Sequence, residues 1–125
     1  MALDDEKTRG HVALKGFVGI CREWDCTEEE MMQLLGGVSR STLAKYETLP
    51  HVTLSQDTLE RISYILGIYE SLRVMYPTAE RANHRIRLVT SEVPFAGTSA
   101  LDFMALGSMK HLMETRRYFD AKRAG

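Results

Sequence analysis

Apolar residues recur along this chain at three- and four-residue spacing. Nowhere do they alternate long enough to make a sheet strand, so the pattern predicts helices and almost nothing else. The longest run, about residues 55–76, puts Leu59, Ile62, Leu66, Tyr69 and Leu72 (or Met75) on one face. Glycine and proline read as punctuation between such runs. A first helix is predicted over residues 10–24, with Val12, Phe17, Ile20 and Trp24 inward. A second starts at Thr27, whose hydroxyl pairs with Glu30 in a capping box, carries Met31, Leu34 and Leu35 inward, and stops at Gly36-Gly37. A third spans about 39–47 with Leu43 and Tyr46 inward, and a turn at Pro50 leads into the long helix. Pro77 separates that helix from another over about 78–88. The expected fold is all-α, with an N-terminal helix-turn-helix bundle over residues 1–76 and a small helical domain over 77–125.

Bulk composition narrows the function classes. At 125 residues, 44% apolar and 26% charged, the chain suits one domain, or two very small ones sharing a core. No apolar run approaches the ~20 residues that span a bilayer. The opening MALDDEKTRG is charged, unlike a secretory signal, so a cytoplasmic protein without membrane contact is expected. Cys21 and Cys26 match neither a redox pair nor half a zinc site, and the histidines (His11, His51, His84, His111) supply no ligand spacing. Free thiols are expected, with no metal and no cofactor. No nucleophile elbow, phosphate loop or dinucleotide turn organises the polar residues, and His111 with Glu114 reads as a pair of solvent-facing side chains, so an enzyme is not expected. A formal charge of −1 argues against a general polyanion binder; nucleic-acid contact would need a local patch.

Residues 27–47 supply one candidate. Two short helices joined by a tight glycine turn follow the helix-turn-helix plan, in which the first helix braces the second so that its N-terminal side chains reach a major groove. Ser39, Arg40, Ser41, Thr42 and Lys45 are then the outward, DNA-facing residues, with Arg40 able to fork onto a guanine edge and the others serving phosphates or bases. Glu28, Glu29, Glu30 and Glu47 lie close by and oppose phosphate.

Residues 94–125 read as a turn (Pro94, Gly97), a short helix capped by Ser99 with Asp102, a break at Gly107, and a helix capped by Ser108. That last helix carries Met109, Leu112, Met113, Arg116 and Phe119 near one face, with Met104, Met109, Leu112 and Met113 read as core. The ordered series Phe95, Gly97, Ser99, Ala100, Leu101, Asp102, Gly107, Leu112, Arg116, Tyr118, Phe119, Asp120, Ala121, Arg123, Gly125 resembles the toxin-binding C-terminal domain of the Xre/MbcA/ParS-type antitoxins. Residues 27–47 resemble the Xre-like helix-turn-helix that usually precedes it. One departure stands out: Arg85-Ile86 and Val89-Thr90 occupy the places of a Trp-Ile/Leu pair and a Pro-Asn pair.

The resemblance implies an antitoxin of a type II toxin–antitoxin pair. Its partner is a cognate toxin, often of the NAD-consuming RES type, inhibited by contact near the active site. The implied contact residues are Arg116, Arg117, Tyr118, Asp120, Lys122, Arg123 and the Gly125 carboxylate. Removal of the chain from Tyr118 onward is expected to leave a folded protein that no longer neutralises. Autorepression through operator DNA, as a homodimer or larger complex, is also implied. The alternatives are a stand-alone helix-turn-helix regulator and a ParS-like adaptor without a toxin.

Overall fold

The computed structural model describes residues 2–48 and 51–125. The helices are α1 (Ala2–Glu23), α2 (Glu28–Leu34), α3 (Arg40–Thr48), α4 (Gln56–Met75), α5 (Ala79–Arg87), α6 (Ala100–Met104) and α7 (Met109–Ala124), with two short strands, β1 (Val89–Thr90) and β2 (Thr98–Ser99). The all-α fold with its helix-turn-helix region is present as expected. The turn at Pro50 lies outside the described residues.

Helix α4 is the axis, with α7 its most extensive neighbour and α1 the next. Its start is set by Ser55, whose hydroxyl accepts the Thr58 amide hydrogen at 3.1 Å. The stripe expected on α4 is one of two. Leu59, Leu66 and Tyr69 are half-buried, and the Tyr69 ring lies 6.5 Å from that of Trp24, the residue after α1. A second buried row includes Ile65, Ile68 and Ser71, and the Ser71 hydroxyl donates to Asp120 of α7 at 2.8 Å. A helix covered on both sides loses the one-faced pattern that a surface helix shows.

In α1, Leu14, Phe17, Ile20 and Cys21 are buried, as is Trp24 just after it, but Val12, expected inward, is 62% exposed. Five residues from Phe17, it sits roughly 140° around the helix at about 100° per residue, on the far side. The helix also starts well before Gly10. That glycine marks a close approach rather than a boundary, since a Cβ there would lie 2.0 Å from the Val52 carbonyl oxygen. Both thiols are free; the Cys26 thiol, then burial, push Cys21 well above its ordinary pKa.

The C-terminal segment matches its expected caps: Ser99 accepts from the Asp102 amide at 3.0 Å, Gly107 has φ 97°, and Ser108 accepts from the Lys110 amide at 3.2 Å. Met104 and Leu112 are fully buried and Met109 is half-buried, while Met113, expected in the core, is 40% exposed. The small antiparallel ladder, Val89 opposite Ser99 and Thr90 opposite Thr98, was not visible in the hydrophobic pattern, because two-residue strands cannot alternate. It closes the loop carrying Glu92 and Phe95 over α7, and one hydrophobic core runs through the whole set of helices.

Candidate functional site

The α2–α3 pair is assembled by local chemistry. Thr27 and Glu30 form the reciprocal capping box, with Glu30 Oε1 accepting from the Thr27 amide at 2.8 Å and Thr27 Oγ1 from the Glu30 amide at 3.1 Å. Gly36 and Gly37 turn the chain at φ 95° and 85°, a backbone region that only glycine adopts cheaply. Ser39 caps α3 by accepting the Thr42 amide hydrogen at 3.1 Å, and its hydroxyl also meets those of Ser41 and Thr42 at 3.1 and 2.9 Å. Leu43 is the fully buried residue of α3. Of the predicted DNA-facing set, Ser39, Arg40, Ser41 and Lys45 are exposed and Thr42 is half-buried.

Arg40 is not a free fork. Its Nη1 is paired with Glu28 and its Nη2 with Glu29 Oε1 at 2.8 Å, both on the bracing helix. The hydrogen bond from Arg40 holds the Glu29 carboxyl below its ordinary range. Lys45 has no ion-pair partner among the described residues.

The seven residues predicted on α7 do not share a face. Arg116 and Asp120 turn toward α4: Asp120 accepts from Ser71, Arg116 Nε reaches Asp120 Oδ2 at 3.4 Å, and the Arg116 guanidinium lies 6.0 Å from the Tyr64 ring centroid. Gly67 makes room for it, since a Cβ there would lie 2.4 Å from Arg116 Cζ. Tyr118 and Lys122 turn toward the loop after β1. The Tyr118 hydroxyl donates to Glu92, and Lys122 Nζ lies 3.2 Å from the other oxygen of that carboxylate. The Tyr118 bond, then Lys122, hold Glu92 below the usual carboxylate range, while burial, then Glu92, push the Tyr118 phenol up. Arg117, Arg123 and Gly125 are exposed, and neither arginine has an ion-pair partner among the described residues. Phe119 between them is 1% exposed and packs 6.2 Å from the Phe95 ring. A chain cut at Tyr118 therefore loses a core residue, so the expectation that such a truncation leaves the fold intact is corrected. The cut that spares the core falls after Lys122.

Three arginines outside the predicted site organise this arrangement. Arg85 lays its guanidinium 5.1 Å from the Phe119 and 5.6 Å from the Tyr118 ring centroids and donates to the Tyr118 oxygen at 2.8 Å. A flat guanidinium stacks on aromatic faces. Buried Arg61 donates to Asp57 at 2.9 Å and to the Gly107 carbonyl at 2.8 Å, and fills the space beside Gly36. Arg87 donates to the Trp24 and Asp25 carbonyls at 2.9 and 2.7 Å and reaches Glu30 at 3.4 Å. Arg61 and Arg87 thus tie the α2–α3 pair to the C-terminal helices. The charges in Arg85 and Arg87 stood beside the recognised motif, but nothing in the pattern distinguished a stacked or capping arginine from a solvated one.

Charge is divided unevenly. Residues 1–67 hold eleven Asp and Glu against seven Lys and Arg, and residues 68–125 hold six against nine. Among the described residues no His, Cys, Asp and Glu group is arranged to hold a metal ion, and no helix is long and apolar enough to cross a membrane.

Two comparisons bear on this arrangement. Residues 5–67 match the model of the antitoxin Xre-like helix-turn-helix domain. The uncharacterized protein y4oB of Sinorhizobium fredii (strain NBRC 101917 / NGR234) is 36% identical over 120 residues, covering 96% of this chain and 91% of that protein.

Proposed function

The chain belongs to the antitoxin Xre-like helix-turn-helix family, and from that premise we propose that it neutralises a cognate toxin by direct binding. The observation that carries the reading is the state of α7. Its last turns are bonded into the fold, Asp120 to Ser71, Lys122 to Glu92 and Tyr118 to Arg85, while Arg117 and Arg123 on those same turns are exposed and have no ion-pair partner among the described residues. A rigid helix ending in unpaired charges is prepaid in entropy and suited to enter a cleft. A RES-type, NAD-consuming toxin fits that shape: acidic rims or a catalytic Glu at its cleft suit the arginines. The antitoxin supplies no catalytic step and works in the cytoplasm by stoichiometric occlusion. As a homodimer or within the toxin complex, its α2–α3 pair reads the operator of its own genes through Ser41, Thr42 and Lys45, and through Arg40 once that side chain is released from Glu28 and Glu29.

The test is coexpression with the protein encoded beside it, scoring growth, cellular NAD and copurification. The full chain is expected to rescue and copurify. A chain lacking residues 123–125, or carrying Arg117→Glu with Arg123→Glu, is expected to fold yet lose rescue. Full neutralisation by both variants sinks the docking surface. Because the family match spans residues 5–67 alone, a stand-alone regulator is the second reading; a harmless neighbour and a specific DNA shift by the lone chain would establish it.

A further inference from the structure

Between α1 and α3 lies an open groove of about 460 Å³ that the helix-turn-helix plan does not use. One wall is the face of α1 bearing His11, Lys15 and Arg22; the other is the end of α3, with Tyr46 and Glu47. At about 100° per residue the three basic positions fall within roughly 40° of one another and extend along about 16 Å of helix. From His11 to Arg22 the chain contains no Asp or Glu, although residues 1–67 as a whole are acidic. Lys15 and Arg22 are exposed and have no ion-pair partner among the described residues. The most obvious DNA-reading cation, Arg40, is by contrast held by two glutamates.

We propose that this α1 stripe is a backbone-contact surface for duplex DNA, gripping phosphates beside the segment read by α3. It deepens the operator-reading part of the proposed function and rests on it. Phosphate contact requires unpaired cations set along a line, and the line need carry no sequence information. Lys15 and Arg22 are the contacting groups, with His11 at the far end of the row. Tyr46 lines the α3 side of the groove, and Glu47 beside it is the opposing charge that weakens the grip. An isolated pair of cations in a net-acidic domain gives modest affinity, which suits an antitoxin that needs its assembled complex to hold an operator.

The experiment uses the antitoxin–toxin complex and a duplex carrying the region upstream of its own gene, with an unrelated duplex as control, titrated across salt. Lys15→Ala with Arg22→Ala, both at exposed helical positions, is expected to weaken both duplexes by about tenfold or more. It should reduce the log–log salt slope by about 2 and leave the ratio between the duplexes unchanged. Glu47→Gln is expected to tighten both duplexes, an outcome that damaged folding cannot imitate. An unchanged salt slope for the double variant overturns the proposal, as does failure of Glu47→Gln to tighten. If DNA binding survives while toxin copurification is lost, the groove takes an acidic protein surface and the proposal is overturned. If the wild-type complex shifts neither duplex, operator reading itself fails, whereas loss confined to these variants tests the groove alone.

Discussion

The α2–α3 and α6–α7 pairs are built to one local plan: a short helix, a glycine at positive φ, a serine cap, and a second helix. They end in different physical states. Helix α3 has Leu43 as its fully buried residue and meets the rest of the protein through a few side chains. Helix α7 buries Leu112, Thr115 and Phe119 along α4 and is pinned by Asp120 and Tyr118. The same capping signals therefore produce one helix that stands proud and one that is embedded to within a turn of its end. Depth of embedding, not the local motif, decides where function can sit: along the whole outer face of α3, but on the free tip of α7.

The largest test of this contrast is a pair of truncations to alanine. Phe119→Ala removes an aromatic side chain that touches Phe95 and Tyr118 and is expected to cost about 3–5 kcal/mol of global stability. Leu43→Ala removes the anchor of a peripheral helix. Its cost is expected to appear as local opening, with α3 amides exchanging fast while α4 and α7 stay protected. Denaturant unfolding with native-state hydrogen exchange distinguishes the two. Equal global losses would mean that α3 belongs to the same cooperative unit as α7, and the contrast would collapse.

Most of the helical scaffold was legible because it is written in caps and spacing: Thr27 with Glu30, Ser55, Thr78, Ser99 and Ser108 each start a helix where the residues say. What was not legible depends on partners distant in sequence. Gly10 looked like a boundary until the Val52 carbonyl filled the place of its missing side chain. Met113 shares its helix with Leu112 but stays 40% exposed where Leu112 is buried. Among the predicted site residues, Arg40, Arg116, Tyr118, Asp120 and Lys122 are each held by another side chain. Residue type and spacing announce charge; they do not say whether a fold has already used it.

Arg40 turns that point into the next test. Glu28→Gln with Glu29→Gln leaves the Thr27–Glu30 capping box in place while freeing the guanidinium and removing two charges that repel phosphate. Affinity of the antitoxin–toxin complex for its operator is expected to rise by about three- to tenfold at low salt, with the gain shrinking as salt screens the exposed charges. Adding Arg40→Ala should abolish most of that gain. An unchanged affinity in the glutamine variant would mean that α3 meets DNA without Arg40, or not at all.

The smallest effect concerns the latch over α7. Glu92 is held below the usual carboxylate range, first by the Tyr118 hydroxyl and then by Lys122. Its contribution to stability is thus present above that range and lost as pH falls through it. Tyr118 is raised, first by burial and then by Glu92, so its contribution is present below the usual phenol range and lost as pH rises through it. The latch should give a plateau between those limits with a shoulder at each end. Tyr118→Phe keeps the ring against Phe95 but deletes the hydroxyl, and is expected to cost about 1 kcal/mol or less at neutral pH while flattening both shoulders. Thermal melts across pH measure both effects. The Arg40–Glu28–Glu29 cluster provides the contrast: each side chain there is more than half exposed. Salt should therefore screen it, while the part-buried Arg85–Tyr118 contact at 2.8 Å persists. If salt erased the Tyr118→Phe difference as readily as it erases the effect of freeing Arg40, the tip of α7 would be as loosely held as the start of α3, and a prepaid docking helix would lose its physical basis.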